Sequence, residues 1–551
     1  MPEQVLDLVS VLRGSHIFRR LSDAEIADVA DLFSVQVMAE EQFIFKEKES
    51  ADAFCFLLSG KVRLWRKLPA QLEEIAICDA EDYFGQDTLQ PYQVHRVSAQ
   101  ARTTVTVAIL SYKKYRDLLH RFPLLAASFQ VVFKSYQLML RQPLLWRAPR
   151  ETVHYIGRVH PFFLWRNLLL PLPLLIGAFV LLIIYANNVE QNFLFIIAAI
   201  LFVVGGGWTL WIVMDWSNDL YVITNRRVVC QERLIGFYDS QRESPLDAVL
   251  AEDIQTDFWG RWLGYGNLLV RTYAGLLPMR RIADVCEIKI ILDEQRQQAM
   301  TRSQRVRKRS LREAIDYTLR GVPPPSQQLS EQDEALVLPR VQPGWMQSRL
   351  LSIFSVRQQK GRVVTYRTHP FILIKRAGLY AIGVLLACGL NIWGLFAWRF
   401  WGAGILMGLL LLLSLVGMGF VVWITWDWRN DQYIVTENEL VDVYKRPLGK
   451  EVRRSSPIEN IQTIDFSRPN LLALLFDFGT VMIRVGNDTL TFNNVPSPAS
   501  VQREIFERFL EKKFQKEKRQ AEQEQERIVE WLKAYDEHRR AFETPSTPPQ
   551  A

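Results

Sequence analysis

Four long apolar stretches interrupt an otherwise polar chain of 551 residues. They run from Leu168 to Tyr185, from Phe193 to Met214, from about Ala377 to Ile392 with room to extend to Trp398, and from Trp401 to Trp426. A membrane-spanning helix needs about 20 predominantly apolar residues. The pattern therefore predicts four transmembrane helices in two hairpins, within residues 160–214 and 370–426.

Basic residues flank these hairpins on one side. The loop inside the first hairpin has no lysine or arginine, and the loop inside the second has only Arg399. Because basic flanks stay in the cytoplasm, we expect a multi-pass protein of the cell membrane whose soluble domains and both termini are cytoplasmic. The amino terminus, which lacks the apolar core of a signal peptide, agrees. The flanking residues are Arg158, Arg166, Arg226, Arg227, Arg362, Arg367, Lys375, Arg376 and Arg429.

The two hairpins and their flanks are copies of each other. "RVHPFFLWR" precedes the first hairpin and "RTHPFILIK" the second, while "DWSNDLY" follows the first and "DWRNDQY" the second. This repetition predicts two similar units, each a hairpin plus a soluble domain. Tryptophan suits a membrane interface, and Asn and Asp suit a turn out of a helix. We therefore expect a structural junction rather than a catalytic carboxylate pair.

The segments after each hairpin alternate apolar and polar residues in short runs. Examples are "LYVIT" and "NLLVRTY" in the first copy and "QYIVT" and "TVMIRV" in the second, which is the periodicity of strands. Together with the hairpins, these segments resemble the bacterial pleckstrin-homology-like (PH-like) membrane proteins over about residues 155–295 and 364–512. The resemblance implies two small PH-like β-barrel domains at the membrane surface, at 215–295 and 427–512.

The amino-terminal residues 1–145 have a different pattern. "LSDAEIADVADLF" begins with a Ser22 cap and has helical spacing, "FIFKEKESADAFCFLLSGKVRLWR" alternates as strands, and "KKYRDLLHRFPLLAASFQVVFKSYQLML" predicts helix broken before Pro123. This order resembles the cyclic-nucleotide-binding domain of catabolite-activator-type regulators. It implies a β-roll with flanking helices, so that the whole chain is a multidomain α+β membrane protein.

One stretch of this domain, "YFGQDTLQPYQVHRVS", resembles the family's phosphate cassette. The resemblance implies that Arg96 holds a cyclic phosphate, that Gly85 and Ser98 line it, and that Val97 lies near the base. A glycine lets backbone N–H groups approach an anion, and a guanidinium offers two directional, charge-assisted hydrogen bonds. The implied ligand-binding residues for phosphate and ribose are Phe84, Gly85, Gln86, Leu89, Arg96, Val97 and Ser98.

The cassette also departs from the family's pattern. Gln86 stands where the family has a glutamate for the ribose hydroxyl, Glu41 and Lys48 stand where glycines are common, and Asp87 adds a negative charge. Two interpretations stay open. The domain binds a cyclic nucleotide, with cAMP expected over cGMP because Val97 has no hydroxyl for a guanine amino group, or it is a degenerate domain that keeps the fold for contacts.

Composition excludes several classes of function. The formal net charge is +7, but the excess lies beside the apolar stretches and in residues 302–312, which favours membrane anchoring over nucleic-acid binding. The five cysteines are scattered without metal or redox spacing and predict reduced, intracellular thiols. Phosphate-loop, zinc-hydrolase, nucleophile-elbow and dinucleotide motifs are absent from the sequence. We expect no catalytic residues, metal, cofactor or nucleic-acid partner.

The rest of the chain is charged. Residues 296–363 predict a flexible linker with a helical first part. "VQREIFERFLEKKF" has an apolar helical stripe (Ile505, Phe506, Phe509, Leu510, Phe514), and residues 513–551 continue as a charged helix and tail. This helix is a candidate site for a protein partner. Small residues at helical spacing in the apolar stretches, among them Gly404 and Gly408, favour close helix packing and make a homo-oligomer conceivable.

These patterns favour a non-enzymatic, cyclic-nucleotide-responsive regulatory membrane protein, in which a cytosolic sensor is coupled to two membrane-attached PH-like modules. One alternative is a nucleotide-gated transport or channel-like protein. Against it, the apolar stretches hold only Asn391 as a strongly polar group, whereas conduction paths have polar linings. Another alternative is a structural scaffold with a degenerate sensor domain.

Overall fold

The structure is a computed structural model that describes residues 2–67, 72–142, 144, 146–147, 151–187, 192–234, 238–272, 275–301, 357–397, 403–445, 451–486 and 488–543. The chain is a mixed α/β multidomain protein. It forms two compact units, one of Met1–Ala299 with Gln462–Leu475 and the other of Met300–Ile461 with Phe476–Ala551. Most of the predicted linker, residues 302–356, lies outside the described residues.

The amino-terminal domain opens with two helices, α1 (Pro2–Gly14) and α2 (Asp23–Ala30). The predicted cap is confirmed, because the Ser22 hydroxyl accepts from the Glu25 N–H while the Glu25 carboxylate accepts from the Ser22 N–H. Such a reciprocal capping box satisfies two helix donors that have no partner inside the helix.

Eight strands follow as a β-roll. They form two four-stranded sheets with the orders β1-β8-β3-β6 and β2-β7-β4-β5. Phe54 and Phe56 of β3 pack with Phe18 and Phe129 in a fully buried aromatic cluster. The strands are β1 (Ser34–Met38), β2 (Phe43–Phe45), β3 (Phe54–Ser59), β4 (Val62–Lys67), β5 (Leu72–Cys78), β6 (Tyr83–Phe84), β7 (Ser98–Ala101) and β8 (Val105–Leu110).

Two helices close the roll. The helix α3 (Tyr112–Arg121) ends before Pro123 and α4 (Leu125–Arg141) begins after it. This confirms the predicted break, which arises because proline disfavours helical geometry in the residue before it. One face of α4 packs on the roll through Phe129 and Val132.

The first repeat begins earlier than its predicted domain boundary at residue 215. The strand β9 (Val153–Gly157) precedes the first hairpin, yet it pairs antiparallel with β10 (Leu220–Thr224), which follows the hairpin. The apolar hairpin is therefore inserted into the β domain between its first and second strands. The sequence hid this because β9 and β10 are more than 60 residues apart.

Two sheets make up the β part of this repeat, where a small barrel was expected. One has the order β9-β10-β11-β12 and the other β13-β14-β15, and the helix α9, of residues 285–301, follows. The segment Gln462–Leu475 also belongs to this unit. In it, β21 (Ile461–Arg468) pairs with β12, and Arg468 forms an ion pair with the buried Asp239. The remaining elements are β11 (Arg227–Leu234), β12 (Tyr238–Pro245), β13 (Val249–Gln255), α8 (Phe258–Leu263), β14 (Tyr265–Thr272) and β15 (Gly275–Ala283).

The helix α4 also joins the roll to the first repeat. Its residues Leu138 and Met139 pack against Ile156 of β9 and Val222 of β10. Two polar contacts also join the amino-terminal domain to residues 285–301. The Ser128 hydroxyl of α4 donates to the Glu287 carboxylate at 3.0 Å, and Nδ1 of the buried His16, which precedes α2, lies 2.8 Å from the Glu294 carboxylate. One helix therefore touches both domains.

The second unit repeats the plan. Its five-stranded sheet has the order β16-β17-β18-β19-β20, again with strands before and after the hairpin, and β22 pairs with β23. The strands are β16 (Arg357–Lys360), β17 (Val363–Tyr366), β18 (Gln432–Val435), β19 (Glu439–Lys445), β20 (Glu451–Pro457), β22 (Phe478–Val485) and β23 (Asp488–Pro496).

A single helix ends the described chain. The helix α13 (Pro498–Glu543) runs through the predicted boundary at 512/513, because nothing in "EKKFQKEK" stops a helix. Ile505, Phe506 and Phe509 of the predicted stripe are buried, whereas Phe514 is 64% exposed. Packing therefore covers only the first turns of this stripe.

The apolar stretches are helical. Among the residues that the structure describes, three helices are long and apolar enough to cross a membrane: α7 (Asn192–Asn218), α10 (Pro370–Ala397) and α11 (Ala403–Asn430). The fourth candidate is a pair, α5 (Pro161–Leu168) and α6 (Leu172–Asn187), bent by 43° at the break. Pro171 lies in that break, and proline removes a helical hydrogen bond and clashes with the preceding turn.

Candidate functional site

The cassette begins where β6 ends inside the roll. Phe84 is fully buried in the roll's interior cluster, and Gly85 follows in a left-handed conformation with φ of +84°. A Cβ at position 85 would lie 2.1 Å from the Ala53 carbonyl oxygen. Only glycine fits this conformation and this close approach, so the resemblance at Gly85 has a physical basis in the structure.

A short 3₁₀ turn, Gln86–Leu89, carries the next cassette residues. The Thr88 N–H donates to the Gly85 carbonyl at 3.1 Å, and the Thr88 hydroxyl accepts from the Ala53 N–H at 3.0 Å. Leu89 is buried and anchors the turn in the core, while Gln86 is half-buried at its first position. The turn is thus held on both sides of Gln86.

The second half of the cassette leads into β7. Val97 is buried among the interior hydrophobic residues of the roll, and the Ser98 hydroxyl accepts from the Glu47 N–H at 3.0 Å. Arg96 lies just before them and keeps 36% of its side chain exposed. The guanidinium is therefore the accessible cation of this segment, while its two neighbours face inward.

Asp87 organises the site in a way that the sequence did not reveal. Its side chain is 1% exposed, and its Oδ2 accepts from the Arg96 N–H and from the Tyr136 hydroxyl, both at 2.9 Å. Its Oδ1 lies 3.5 Å from Arg96 Nε. A carboxylate of the protein therefore already neighbours the guanidinium that the resemblance assigns to phosphate. Tyr136 was missed because it lies 49 residues away, on α4.

Burial governs the charges around Asp87. Burial raises the pKa of Asp87, and the hydrogen bonds from Arg96 and Tyr136 together with the positive charge of Arg96 counteract that rise. The pKa of the Tyr136 hydroxyl is also raised, mainly by burial and then by the negative charge of Asp87. Tyr136 is thus a neutral donor to Asp87, and burial makes the Asp87 carboxylate easier to protonate than an ordinary aspartate.

The two turns that precede the cassette each hold one residue in a left-handed backbone conformation. Glu41 and Lys48 have φ of 64° and 71°, the left-handed region that favours glycine. Their backbone N–H groups donate to the Ala101 carbonyl at 2.8 Å and to the His95 carbonyl at 2.7 Å. The residue types differ from the usual glycines, but the backbone conformation is the one that glycine would adopt.

The repeated junction after each hairpin was expected to be structural, and its residues make the contacts of a helix end and a turn. Trp216 donates through its indole N–H to the Val159 carbonyl at 2.9 Å, and Arg158 lies over its ring. Asp219 and Asp431 follow the hairpins at equivalent positions, and burial first, then Asp215 and Asp427 respectively, raises the pKa of each to about 6. Their matched surroundings in both repeats fit the predicted turn.

Within the described ranges no group of three or more His, Cys, Asp or Glu side chains could hold a metal ion. All five cysteines are free, and Cys55, Cys78 and Cys230 are buried. The cassette with Arg96 is therefore the site on which the functional argument depends.

Comparison with known families agrees with this geometry. Residues 35–122 match the family described as "Cyclic nucleotide-binding domain", and residues 171–296 and 370–509 each match the family described as "Bacterial PH domain". The chain thus contains a cyclic nucleotide-binding domain followed by two bacterial PH domains, and both predicted resemblances are confirmed. No curated protein matches the chain.

Solved structures resemble the amino-terminal part. The catabolite activator protein of Thermus thermophilus is 24% identical over 23% of this chain and 60% of its own, with a TM-score of 0.22. The sensor domain of the regulator DNR from Pseudomonas aeruginosa is 22% identical over 24% of this chain and 89% of its own, with a TM-score of 0.22. The regulatory domain of Toxoplasma gondii PKA, crystallised with cAMP, is 22% identical over 21% and 46%, with a TM-score of 0.20. At these TM-scores the likenesses carry no argument about function.

Proposed function

We propose that this protein is a cyclic-nucleotide-responsive regulator of the cell membrane, in which the amino-terminal domain senses the nucleotide and the two PH domains respond to it. The observation that carries the proposal is the accessible Arg96 guanidinium in the cassette of a matched cyclic nucleotide-binding domain. It is a non-enzymatic role that needs no metal or cofactor.

The ligand step is an exchange of anions. The cyclic phosphate takes the place of the Asp87 carboxylate at Arg96. A hydrogen bond between a cationic donor and an anionic acceptor is stronger than one between neutral groups. The cyclic phosphate keeps its negative charge at any physiological pH. Cyclic AMP is the proposed ligand, because Val97 supplies no hydroxyl for a guanine.

The transmission step uses α4. When Asp87 loses Arg96, its contact with the Tyr136 hydroxyl on α4 changes as well. The same helix packs through Leu138 and Met139 on the β9–β10 pair, and β9 ends at Gly157, four residues before α5 begins. A ligand biases this system only if it prefers one arrangement of α4.

The proposed membrane attachment consists of four spans. The helices α7, α10 and α11 each cross once, and the bent α5–α6 pair crosses as a kinked fourth span, with the soluble domains and both termini in the cytoplasm. Most of their large hydrophobic side chains are exposed, as with Phe202, Val203 and Leu413, which suits lipid contact.

The carboxyl-terminal helix is a proposed site for a protein partner. Phe514, Trp531 and Tyr535 on α13 are exposed by 64%, 74% and 69%. Large aromatic residues are common anchors in protein interfaces. Self-association of the chain through its spanning helices is a further proposal, and size measurement in detergent tests it.

Nucleotide binding is the decisive test. The full-length protein in lipid nanodiscs is titrated with cAMP and cGMP by calorimetry, alongside Arg96→Ala. We expect cAMP to bind and Arg96→Ala to weaken it at least tenfold, since hydrogen bonds to charged groups contribute about 1.5–3 kcal/mol. The matched control is Arg102→Ala, which removes an exposed arginine just beyond β7. Failure of every cyclic mononucleotide and dinucleotide to bind would overturn the sensor proposal.

A further inference from the structure

Each repeat carries a short helix with large apolar side chains on its surface. In the first repeat it is α8, where Phe258, Trp259 and Trp262 are exposed by 70%, 55% and 75%. In the second it is α12 (Leu471–Leu475), where Leu471, Leu472 and Leu475 are exposed by 55%, 48% and 72%. The two repeats therefore expose apolar side chains at the same place, aromatic in the first repeat and leucine in the second.

The local geometry aims these side chains outward in both copies. Gly260 and Ala473 hold equivalent positions, are buried, and are the small residues of their helices. The Asp257 carboxylate caps α8 by accepting from the Gly260 N–H at 2.5 Å. Gly264 and Asp477 then end the segments with φ of 78° and 50°. A small residue inside forces the large residues on either side of it toward the surface.

In each repeat, an aromatic residue that follows the short helix along the chain packs on the start of an apolar helix. Tyr265, directly after the α8 turn, packs on Phe162 and Phe163 of α5, with ring centroids 6.1 and 4.8 Å away. Phe476, directly after α12, packs on Phe371 of α10 with centroids 4.6 Å apart. The chain that leaves each short helix is therefore held at the cytoplasmic end of a proposed span.

Basic residues accompany this surface in the first repeat. Arg166 and Arg281 lie over the Phe163 ring, 5.1 and 4.6 Å from its centroid, and Arg261 is an exposed residue of α8 itself. Aromatic rings beside guanidinium groups suit the boundary between lipid headgroups and acyl chains.

We infer that α8 and α12 dip into the cytoplasmic face of the same bilayer that the hairpins cross, as two apolar wedges that fix each PH domain against the membrane. The inference rests on the proposed membrane function. The side chains enter the zone between headgroups and acyl chains, about 5–10 Å deep, and anionic lipid phosphates neutralise the neighbouring arginines. The two short helices occupy the same place in each repeat but carry different apolar side chains. This fits a lipid surface, which binds apolar side chains without recognising their shape.

Site-specific fluorescence tests the wedges in the full chain. The five native cysteines are replaced by alanine, and a single cysteine is introduced by Trp262→Cys or Leu475→Cys and labelled with an environment-sensitive dye. The protein is reconstituted in vesicles of zwitterionic and anionic phospholipids with spin-labelled lipids as quenchers. Val203→Cys, on the exposed face of α7, is the control for the spans, and Tyr92→Cys, fully exposed in the cassette loop, is the control for water.

We expect positions 262 and 475 to be quenched at least half as strongly as position 203, most by lipids labelled near the headgroup, and position 92 to remain unquenched. If the dye at position 203 is quenched while the dyes at positions 262 and 475 remain as unquenched as the dye at position 92, the wedges are overturned and the spans are left intact. Loss of quenching at 203 overturns the spans instead, and positions 262 and 475 then decide the wedges by themselves.

Discussion

Arg96 and Arg227 are both arginines paired with carboxylates, and they are held in opposite ways. Arg227 on β11 is 1% exposed, binds Glu151 through two hydrogen bonds of 2.8 and 2.9 Å, binds Glu243 at 2.5 Å, and stacks on Trp146. Arg96 is 36% exposed and has one carboxylate at 3.5 Å. The same charged group is locked in one place and available in the other.

The difference shows how to separate structure from function in this chain. A guanidinium with two carboxylates, a carbonyl and an aromatic ring around it has its donors satisfied, so it has nothing to offer a ligand. A guanidinium with a single, loosely placed carboxylate keeps donors for another anion.

Removing the locked arginine should destabilise the protein severely. Arg227→Met leaves Glu151 and Glu243 buried without a counter-charge, and breaking such a buried pair costs about 3–5 kcal/mol. Arg96→Met should cost clearly less, because Asp87 keeps its hydrogen bonds from the backbone N–H at position 96 and from the Tyr136 hydroxyl, and Arg96 itself is partly exposed. The measurement is thermal unfolding of the two detergent-solubilised variants. Equal losses of stability would erase the contrast between the two arginines.

Changing the type of cation at position 96 should affect binding rather than folding. Arg96→Lys keeps the charge but loses the planar pair of donors, so we expect about a tenfold loss of cAMP affinity, or ~1.4 kcal/mol, with an unchanged melting temperature. Calorimetry on nanodiscs measures this. Wild-type affinity in the lysine variant would mean that Arg96 acts only as a point charge.

Removing the competing charge should strengthen binding. Asp87→Asn keeps acceptors for the Arg96 N–H and the Tyr136 hydroxyl but no longer holds the guanidinium by charge. We expect an increase of roughly three- to tenfold in cAMP affinity, equivalent to about 0.6–1.4 kcal/mol. Asp117→Asn, which removes one exposed negative charge from the same domain, is the matched control. A weaker affinity in Asp87→Asn would show that Asp87 supports the ligand instead.

The same competition should make binding depend on pH. Burial raises the pKa of Asp87 above its ordinary value, so over the range from neutral to acidic pH Asp87 takes up its proton earlier than an ordinary aspartate. Protonation removes the charge that competes for Arg96, and affinity should therefore rise severalfold as the pH falls. His95, whose pKa burial lowers to about 4, stays neutral over most of that range. The Asp87→Asn variant should show a flat profile, and an equal slope in both proteins would assign the effect elsewhere.

Local features of the chain were predictable because their causes are local. The Ser22 capping box, the break at Pro123 and the apolar helices depend on neighbours within a few residues. Gly85 and Arg96 could be placed by resemblance because the cassette is a contiguous stretch. The boundary of the first PH domain at 215 left out β9, because its pairing with β10 spans the whole hairpin.

The order of domains, the two repeats, the apolar hairpins and the residue types of the cassette can all be predicted from the amino-acid sequence alone. The tertiary structure decided what those residues do. Asp87 is a charge beside the cassette in the sequence, but folding buries it and sets it between Arg96 and Tyr136. Arg227 is one of nine basic flanking residues in the sequence, but folding surrounds it with carboxylates 76 and 16 residues away. The physical reason is that periodicity records which side of an element is apolar, whereas burial and charge pairing arise only when distant segments meet.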